Sequence, residues 1–452
     1  MSEKYDVAVI GSGSGGSEAA FLAAEKGFRA ILIEKDAFGG TRFHRGCFAV
    51  RALHASSRAY LQIAKSRNLG IQSEVLRSSL VDWMKAQRAA STRLSEELRQ
   101  RLEKLNVRIA AGTGSLTGEH EVQITDSYGR HENIEAKHII LATGSRPDYS
   151  GSQGSPFLNS DDLIARIYPP EHLFVIGGGY VGCEFASIYR GLGCRVTLAE
   201  QRERLLPGWD ASVGDRVTAE LSAKGIELQL GRNLDVTKVP IEDGYPIITQ
   251  PDGDEISPDL VLVATGRRPN VESLGLESLG ITTTPYVEVD AQLKTRHAHI
   301  FAIGDVNGLN MLDSSASAQA RIAIDAISGG DNLFSSRWVP RYLDTDPPVA
   351  AVGWMEADAN EADFEAKSET VKLVTSEDST VAEPSYTQVK LIVERRTKKI
   401  RGCVIVGHGA AEVINLAALA IQSDVTTGDL ERLLLVHPSV SLALQRCAVK
   451  FR

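Results

Sequence analysis

Residues 39–51 read Gly39-Gly40-Thr41-Arg42-Phe43-His44-Arg45-Gly46-Cys47-Phe48-Ala49-Val50-Arg51. One thiol, Cys47, shares this short stretch with Arg42, His44 and Arg45. Cations beside a thiol favour the thiolate, the form that attacks peroxides and disulfides. Cys47 is therefore a candidate for sulfenic-acid or mixed-disulfide chemistry, against the plain alternative of a small packing residue. Arg42 has two readings as well: it contacts a substrate, or it fills space and pairs with an acid. Three cationic groups together suggest an acidic or strongly polarised acceptor. The remaining thiols, Cys183, Cys194, Cys403 and Cys447, form no CxxC pair and no zinc spacing, so they read as buried, reduced residues, and no metal site is expected.

A second constellation occurs twice. The apolar run Val7–Ile10 leads into Gly11-Ser12-Gly13-Ser14-Gly15-Gly16, then an alanine-rich helical stretch, then Arg29–Glu34, a strand ending in an acid. Glycines at Gly11, Gly13 and Gly16 permit a tight turn and let backbone N–H groups approach a pyrophosphate, while Glu34 can hold ribose hydroxyls. Phe174–Ile176, Gly177, Gly179 and Gly182, then Arg195–Glu200 repeat this with the same distance from first glycine to acid. One such motif is weak evidence; two in the strand–turn–helix–strand context are strong. The chain is expected to bind two dinucleotides. A carboxylate at Glu200 accepts from a ribose 2′-OH and repels a 2′-phosphate, so NAD(H) is expected ahead of NADP(H), although Arg202 and Arg204 lie close by.

The elements that position these groups follow in order. Residues 79–106 are polar with Leu94, Leu98, Leu102 and Leu105 at helical spacing, a packing helix with a solvated face. Val122–Thr125 and Ile134 flank a turn, giving a hairpin. The phrase Ala142-Thr143-Gly144-Ser145-Arg146-Pro147 recurs as Ala264-Thr265-Gly266-Arg267-Arg268-Pro269, and Pro147 to Gly154 reads as a domain crossing. An apolar strand ends in Gly304-Asp305, and an Ala- and Ser-rich helix follows from Met311. From about Ser336 the character becomes α+β, with strands at Val371–Val374 and Val389–Val393 and a helix at Ala410–Ile421. Two or three domains suit a chain of 452 residues. A net charge of −9 disfavours nucleic acid or an anionic membrane as partner. No apolar run suffices for a membrane span and no leader pattern is present, so a cytoplasmic protein is expected.

On both glycine turns, the cysteine segment and the late Gly-Asp, the chain resembles the flavoprotein pyridine nucleotide-disulfide oxidoreductases, closest to the dihydrolipoamide dehydrogenase, glutathione reductase and mercuric reductase group. The resemblance spans essentially the whole chain. It implies an α/β fold with two Rossmann-like dinucleotide-binding domains and a C-terminal α+β dimerisation domain. The implied boundaries are 1–148 and 272–335 for FAD, 149–271 for NAD and 336–452 for the interface of a homodimer. Carried over by position, Gly11, Gly13, Gly16, Glu34, Lys35, Gly40, Thr41, Gly114, Thr143, Gly144, Ser145, Asp305, Met311 and Leu312 would hold FAD. Gly177, Gly179, Gly182, Glu200 and Gly266 would hold the nicotinamide dinucleotide. Glu184 matches the acid that pairs with a lysine beside the flavin; that lysine is Arg51 here, not a neutral exchange. His437-Pro438-Ser439 resembles the motif whose histidine reaches the partner's active site.

The departures lie on the disulfide path. The family segment reads GGTC, four further residues, then a second cysteine; here the first position is Arg42 and only Cys47 remains. The glutamate that orients the catalytic histidine is replaced by Leu442. The resulting expectation is an FAD-dependent enzyme that passes electrons from NADH to a small non-disulfide acceptor such as a quinone, with Cys47, His437 and Arg42 at its site. The alternatives are single-cysteine chemistry at Cys47, as a peroxidase or mixed-disulfide reductase, residual dihydrolipoamide dehydrogenase-like activity, or a low-turnover FAD-binding regulatory protein.

Overall fold

The computed structural model describes residues 3–66, 70, 79–151, 154–166, 168–360, 365–373 and 386–452. Val374 and part of the 147–154 crossing lie outside that set. The chain divides into two compact units: residues 1–52, 82–148 and 266–336 form the first, and residues 53–81, 149–265 and 337–452 form the second.

The first unit is a sheet whose parallel core runs Arg108–Ala111, Ala30–Glu34, Glu3–Ile10, His131–Leu141, with Ile300–Ala302 joining the last of these. The hairpin Thr113–Leu116 and Glu121–Thr125 continues it antiparallel. Central strands buried on both faces read as continuous apolar runs rather than alternations, as in Val7–Ile10 and Ile31–Ile33. One face carries helix Ser14–Glu25, whose Ala19, Ala20 and Ala23 are fully buried and let helix Asp313–Ile327 approach closely. Helix Leu80–Lys104 is the polar helix expected, with Leu102 fully buried in the same core and Leu98 and Leu105 packed on it.

The second unit holds a parallel sheet ordered Glu227–Gln229, Arg195–Ala199, His172–Ile176, Leu260–Val263, Phe157–Leu158. It also holds a five-stranded antiparallel sheet, Arg341–Leu343, Val349–Gly353, Ile400–Val406, Thr387–Glu394, Ala366–Leu373. Helices Ala410–Gln422 and Leu442–Val449 bury Val413, Ile414, Ala417, Leu444 and Cys447 with that sheet. The α/β expectation and the α+β character of the carboxyl-terminal third are both present.

Candidate active site

The two glycine turns have one geometry. Gly11 and Gly177 sit at φ 106° and 107°, a backbone region that other residues rarely adopt. Their N–H groups donate to Ile33 O and Ala199 O, both at 2.8 Å. A Cβ at Gly16 or Gly182 would come within 1.8 Å of Gly11 O or Gly177 O, so neither position tolerates a side chain. At the middle glycines, Gly13 and Gly179, a Cβ would meet nothing within 4 Å among the described residues. Glycine there serves no internal packing and leaves each helix start, Ser14–Glu25 and Tyr180–Gly191, open to an anion.

The strand-end acids repeat the same pattern. Glu34 Oε2 accepts from Ser12 N at 2.8 Å and Ser12 Oγ at 2.6 Å, and Oε1 accepts from Asp36 N at 2.9 Å. Glu200 Oε2 accepts from Gly178 N at 2.6 Å and Oε1 from Arg202 N at 2.8 Å. Each carboxylate locks its own turn and keeps lone pairs for hydroxyl donors. Open turns, helix starts and acids of this kind fit dinucleotides in both units.

Around the first turn the structure gathers the carried-over residues. Gly40 has φ 63°, and a Cβ on it would reach Gly13 Cα at 2.9 Å, so the cysteine segment lies directly on the first turn. Asp305 is half-buried and accepts from Ser145 Oγ at 2.5 Å; desolvation pushes its carboxyl up, against the pull of Ser145 and Arg267. Ser145 Oγ in turn receives Arg267 Nε at 2.8 Å. The two copies of the Ala-Thr-Gly phrase pair with each other: strands Ser145–Pro147 and Arg267–Pro269 are antiparallel, and Thr143 Oγ1 donates to Asn270 O at 2.7 Å. Gly266 accordingly clusters with the first unit, whereas Gly177, Gly179, Gly182, Glu184 and Glu200 lie in the second. Gly114 packs on Ile10, where a Cβ would meet the side chain at 3.1 Å. Lys35 is exposed, and Met311 and Leu312 precede helix Asp313–Ile327.

The cysteine segment forms a short helix, Gly40–His44, and a turn before helix Cys47–Lys65. Helix Leu80–Lys104 holds it from a face that sequence alone gives to solvent. Ser91 Oγ donates to Phe43 O at 2.6 Å, Gln87 Nε2 to the same oxygen at 3.3 Å, and Ser95 Oγ to Phe38 O at 2.7 Å. His44 Nε2 donates to Phe38 O at 2.9 Å, which fixes its tautomer.

Each of the three basic side chains has a partner. Arg45 Nη2 donates to Asp36 Oδ2 at 2.9 Å, His44 is tied to a carbonyl, and Arg42 Nε lies 3.6 Å from Asp313 Oδ1. Ser14 Oγ, in the first glycine turn, donates to the same Asp313 oxygen. Arg42 also lies over the Phe43 ring, 5.3 Å from its centroid. Of its two readings, Arg42 shows pairing with an acid. At Cys47 the influences oppose one another. Desolvation pushes its thiol up, and Asp313 adds to this, outweighing Arg51 and Arg42, although the residue itself reaches the surface. Asp36 and Asp313 thus set two carboxylates against the arginines that the sequence shows, and Asp313 has no motif to announce it.

In the second unit, Glu184 Oε1 accepts from Asp344 N at 2.9 Å. Asp344 takes Arg58 as an ion pair and Tyr342 OH at 2.7 Å. His437 is exposed, and Leu442 begins helix Leu442–Val449. Exposed apolar residues flank it, Leu434 at 95% and Val436 at 77%. Among the described residues no group of three or more His, Cys, Asp or Glu could hold a metal, and no helix is long and apolar enough to cross a membrane.

Comparison with known proteins agrees with this geometry. Residues 5–325 match the pyridine nucleotide-disulphide oxidoreductase model and residues 339–448 match that family's dimerisation domain. A dihydrolipoyl dehydrogenase of Chlorobaculum tepidum is 31% identical, covering 99% of this chain and 97% of that protein. A glutathione reductase of Burkholderia cepacia is 32% identical, covering 97% of both. The crystal structure of LpdA from Mycobacterium tuberculosis superposes with a TM-score of 0.90 at 27% identity, covering 99% of this chain and 100% of that one.

Proposed function

Since the chain belongs to the pyridine nucleotide-disulphide oxidoreductase family, we propose that it oxidises NADH and reduces a small non-disulfide acceptor such as a quinone. Bound FAD supplies the two-electron chemistry between the two substrates. The overall reaction is NADH + H⁺ + quinone → NAD⁺ + quinol: a hydride leaves NADH and one further proton comes from solvent. Gly11, Gly13, Gly16, Glu34, Asp305 and their neighbours bind FAD, and Gly177, Gly179, Gly182 and Glu200 bind NADH. Glu200 favours NADH because a 2′-phosphate would meet its carboxylate. His437 donates a proton to the reduced acceptor in the homodimer, whose interface draws on the exposed Leu434 and Val436.

The observation that carries this reading is the Arg42–Asp313 pair at the position of the family's first redox cysteine. A guanidinium there cannot form a disulfide with Cys47, and desolvation and Asp313 push the Cys47 thiol up, which disfavours the thiolate nucleophile. That argues against single-cysteine turnover and against dihydrolipoamide oxidation. The test is an anaerobic NADH titration followed by steady-state assays with quinones and with lipoamide. Fast flavin bleaching and quinone reduction without lipoamide turnover are expected. Lipoamide turnover at rates typical of the family, or no acceptor reduction above the oxygen background, would overturn the reading.

A further inference from the structure

Resting on the quinone reading, we propose that Asp313 selects the acceptor: by balancing Arg42 it makes this protein take uncharged quinones and turn away anionic ones. The sequence shows only cations at this place, which would favour an acidic acceptor. The structure assigns each of them a partner, and Asp313 is the one that acts where the family's first cysteine would stand.

The pair is built to stay in place while remaining open. Asp313 opens helix Asp313–Ile327, where a carboxylate suits the helix dipole. Ser14 donates to its Oδ1, so the first glycine turn orients it. Arg42 and Asp313 are each about one-third exposed, at 38% and 34%, and their recorded approach is Arg42 Nε to Asp313 Oδ1 at 3.6 Å. Among the described residues no hydrogen bond reaches Arg42 Nη1 or Nη2. A neutral quinone carbonyl can accept from those groups without disturbing the pair. An anion reaching the same donors brings its charge beside Asp313 and gains nothing from an arginine already neutralised. Desolvation and the same carboxylate both push the Cys47 thiol up, which disfavours a second negative charge there.

The experiment compares 1,4-naphthoquinone with its 2-sulfonate in the FAD-loaded protein. The two differ in intrinsic reactivity, which cancels when their kcat/KM ratio is compared between variants. In Asp313→Asn the ratio is expected to move toward the sulfonate by about tenfold at low ionic strength, and salt is expected to erode the change. Binding of the sulfonate to oxidised protein, followed by flavin fluorescence quenching, is expected to tighten in step. Arg42→Gln, with Asp313 unbalanced, is expected to shift both readouts the other way, which keeps the test open if Asp313→Asn loses FAD. Unchanged ratios and unchanged sulfonate binding in the FAD-loaded variants would overturn the role of Asp313. A wild-type protein whose flavin is reduced by NADH but that reduces neither quinone would instead overturn the acceptor reading.

Discussion

Glu184 accepts the backbone N–H of Asp344 at 2.9 Å, so the turn after strand Arg341–Leu343 holds the acid that follows the second glycine turn. Two residues on, Asp346 N donates to Ser187 Oγ at 3.3 Å, one helical turn past Glu184. The turn is thus stapled to helix Tyr180–Gly191 twice. Asp344 is buried and satisfies Arg58 and Tyr342, and its charge and burial hold the Tyr342 phenol protonated.

Asp344→Ala is therefore expected to destabilise the protein by about 2 kcal/mol, less than for a fully buried pair because Arg58 is partly exposed. Asp344→Asn, which keeps an acceptor for Tyr342, is expected to cost about half as much. Urea unfolding followed by circular dichroism reads both, and equal midpoints for wild type and Asp344→Ala would refute the argument.

His54 gives a pH dependence of known sign. It is buried, its Nε2 has no hydrogen-bond partner among the described residues, and desolvation lowers its pKa to about 4, against the pull of Asp344. The unfolded chain takes up a proton near pH 6.5 that the folded chain refuses until about pH 4. Stability is therefore full above pH 6.5 and falls as the pH drops toward 4. Between pH 7 and pH 5 the loss from His54 is about 2 kcal/mol. His54→Leu, which removes both the orphaned nitrogen and the proton uptake, is expected to flatten this slope, and melting temperatures across pH 5–7 check it.

Cys47 should behave as a slow thiol. Burial and Asp313 raise it, so iodoacetamide alkylation at pH 7.5 is expected to be slower than for a free cysteine and to climb steeply only at higher pH. Asp313→Asn removes one of the two causes and is expected to speed the labelling. Cys47→Ser is expected to keep NADH-dependent quinone reduction within about twofold of wild type. Loss of turnover in that variant would return the chemistry to the thiol. Mass spectrometry of the labelled peptide and steady-state rates measure the two parts separately.

These cases show what was legible in the sequence. The glycine turns were, because Gly11, Gly16 and Glu34 each have a backbone reason that recurs at Gly177, Gly182 and Glu200. The Arg42 substitution was legible because a missing cysteine is visible against a motif. Asp313 was not: it is one acid at the start of a serine-rich helix, and only folding brings Arg42 to it. Ser91 and Gln87 were hidden for a different reason. Polar residues on a long helix read as a solvated face, and nothing in their spacing reveals that Phe43 O sits above them. The cations misled because charge was counted along the chain, while Asp36 and Asp313 neutralise it across the fold.

Glu200 offers the remaining prediction because it has two duties that one substitution can separate. Its carboxylate satisfies the N–H groups of Gly178 and Arg202, and the residue is only 5% exposed. Glu200→Ala orphans both donors and should destabilise the second unit by about 2 kcal/mol while weakening NADH. Glu200→Gln keeps one carbonyl oxygen for Gly178 N but removes the negative charge that repels a 2′-phosphate. With Arg202 exposed two residues on, the glutamine variant is expected to gain on NADPH. The ratio of kcat/KM for NADH over NADPH should fall by about tenfold, with a melting temperature between those of wild type and Glu200→Ala. An unchanged coenzyme ratio in a folded Glu200→Gln protein would mean that Glu200 builds the turn and leaves the choice of coenzyme to other residues.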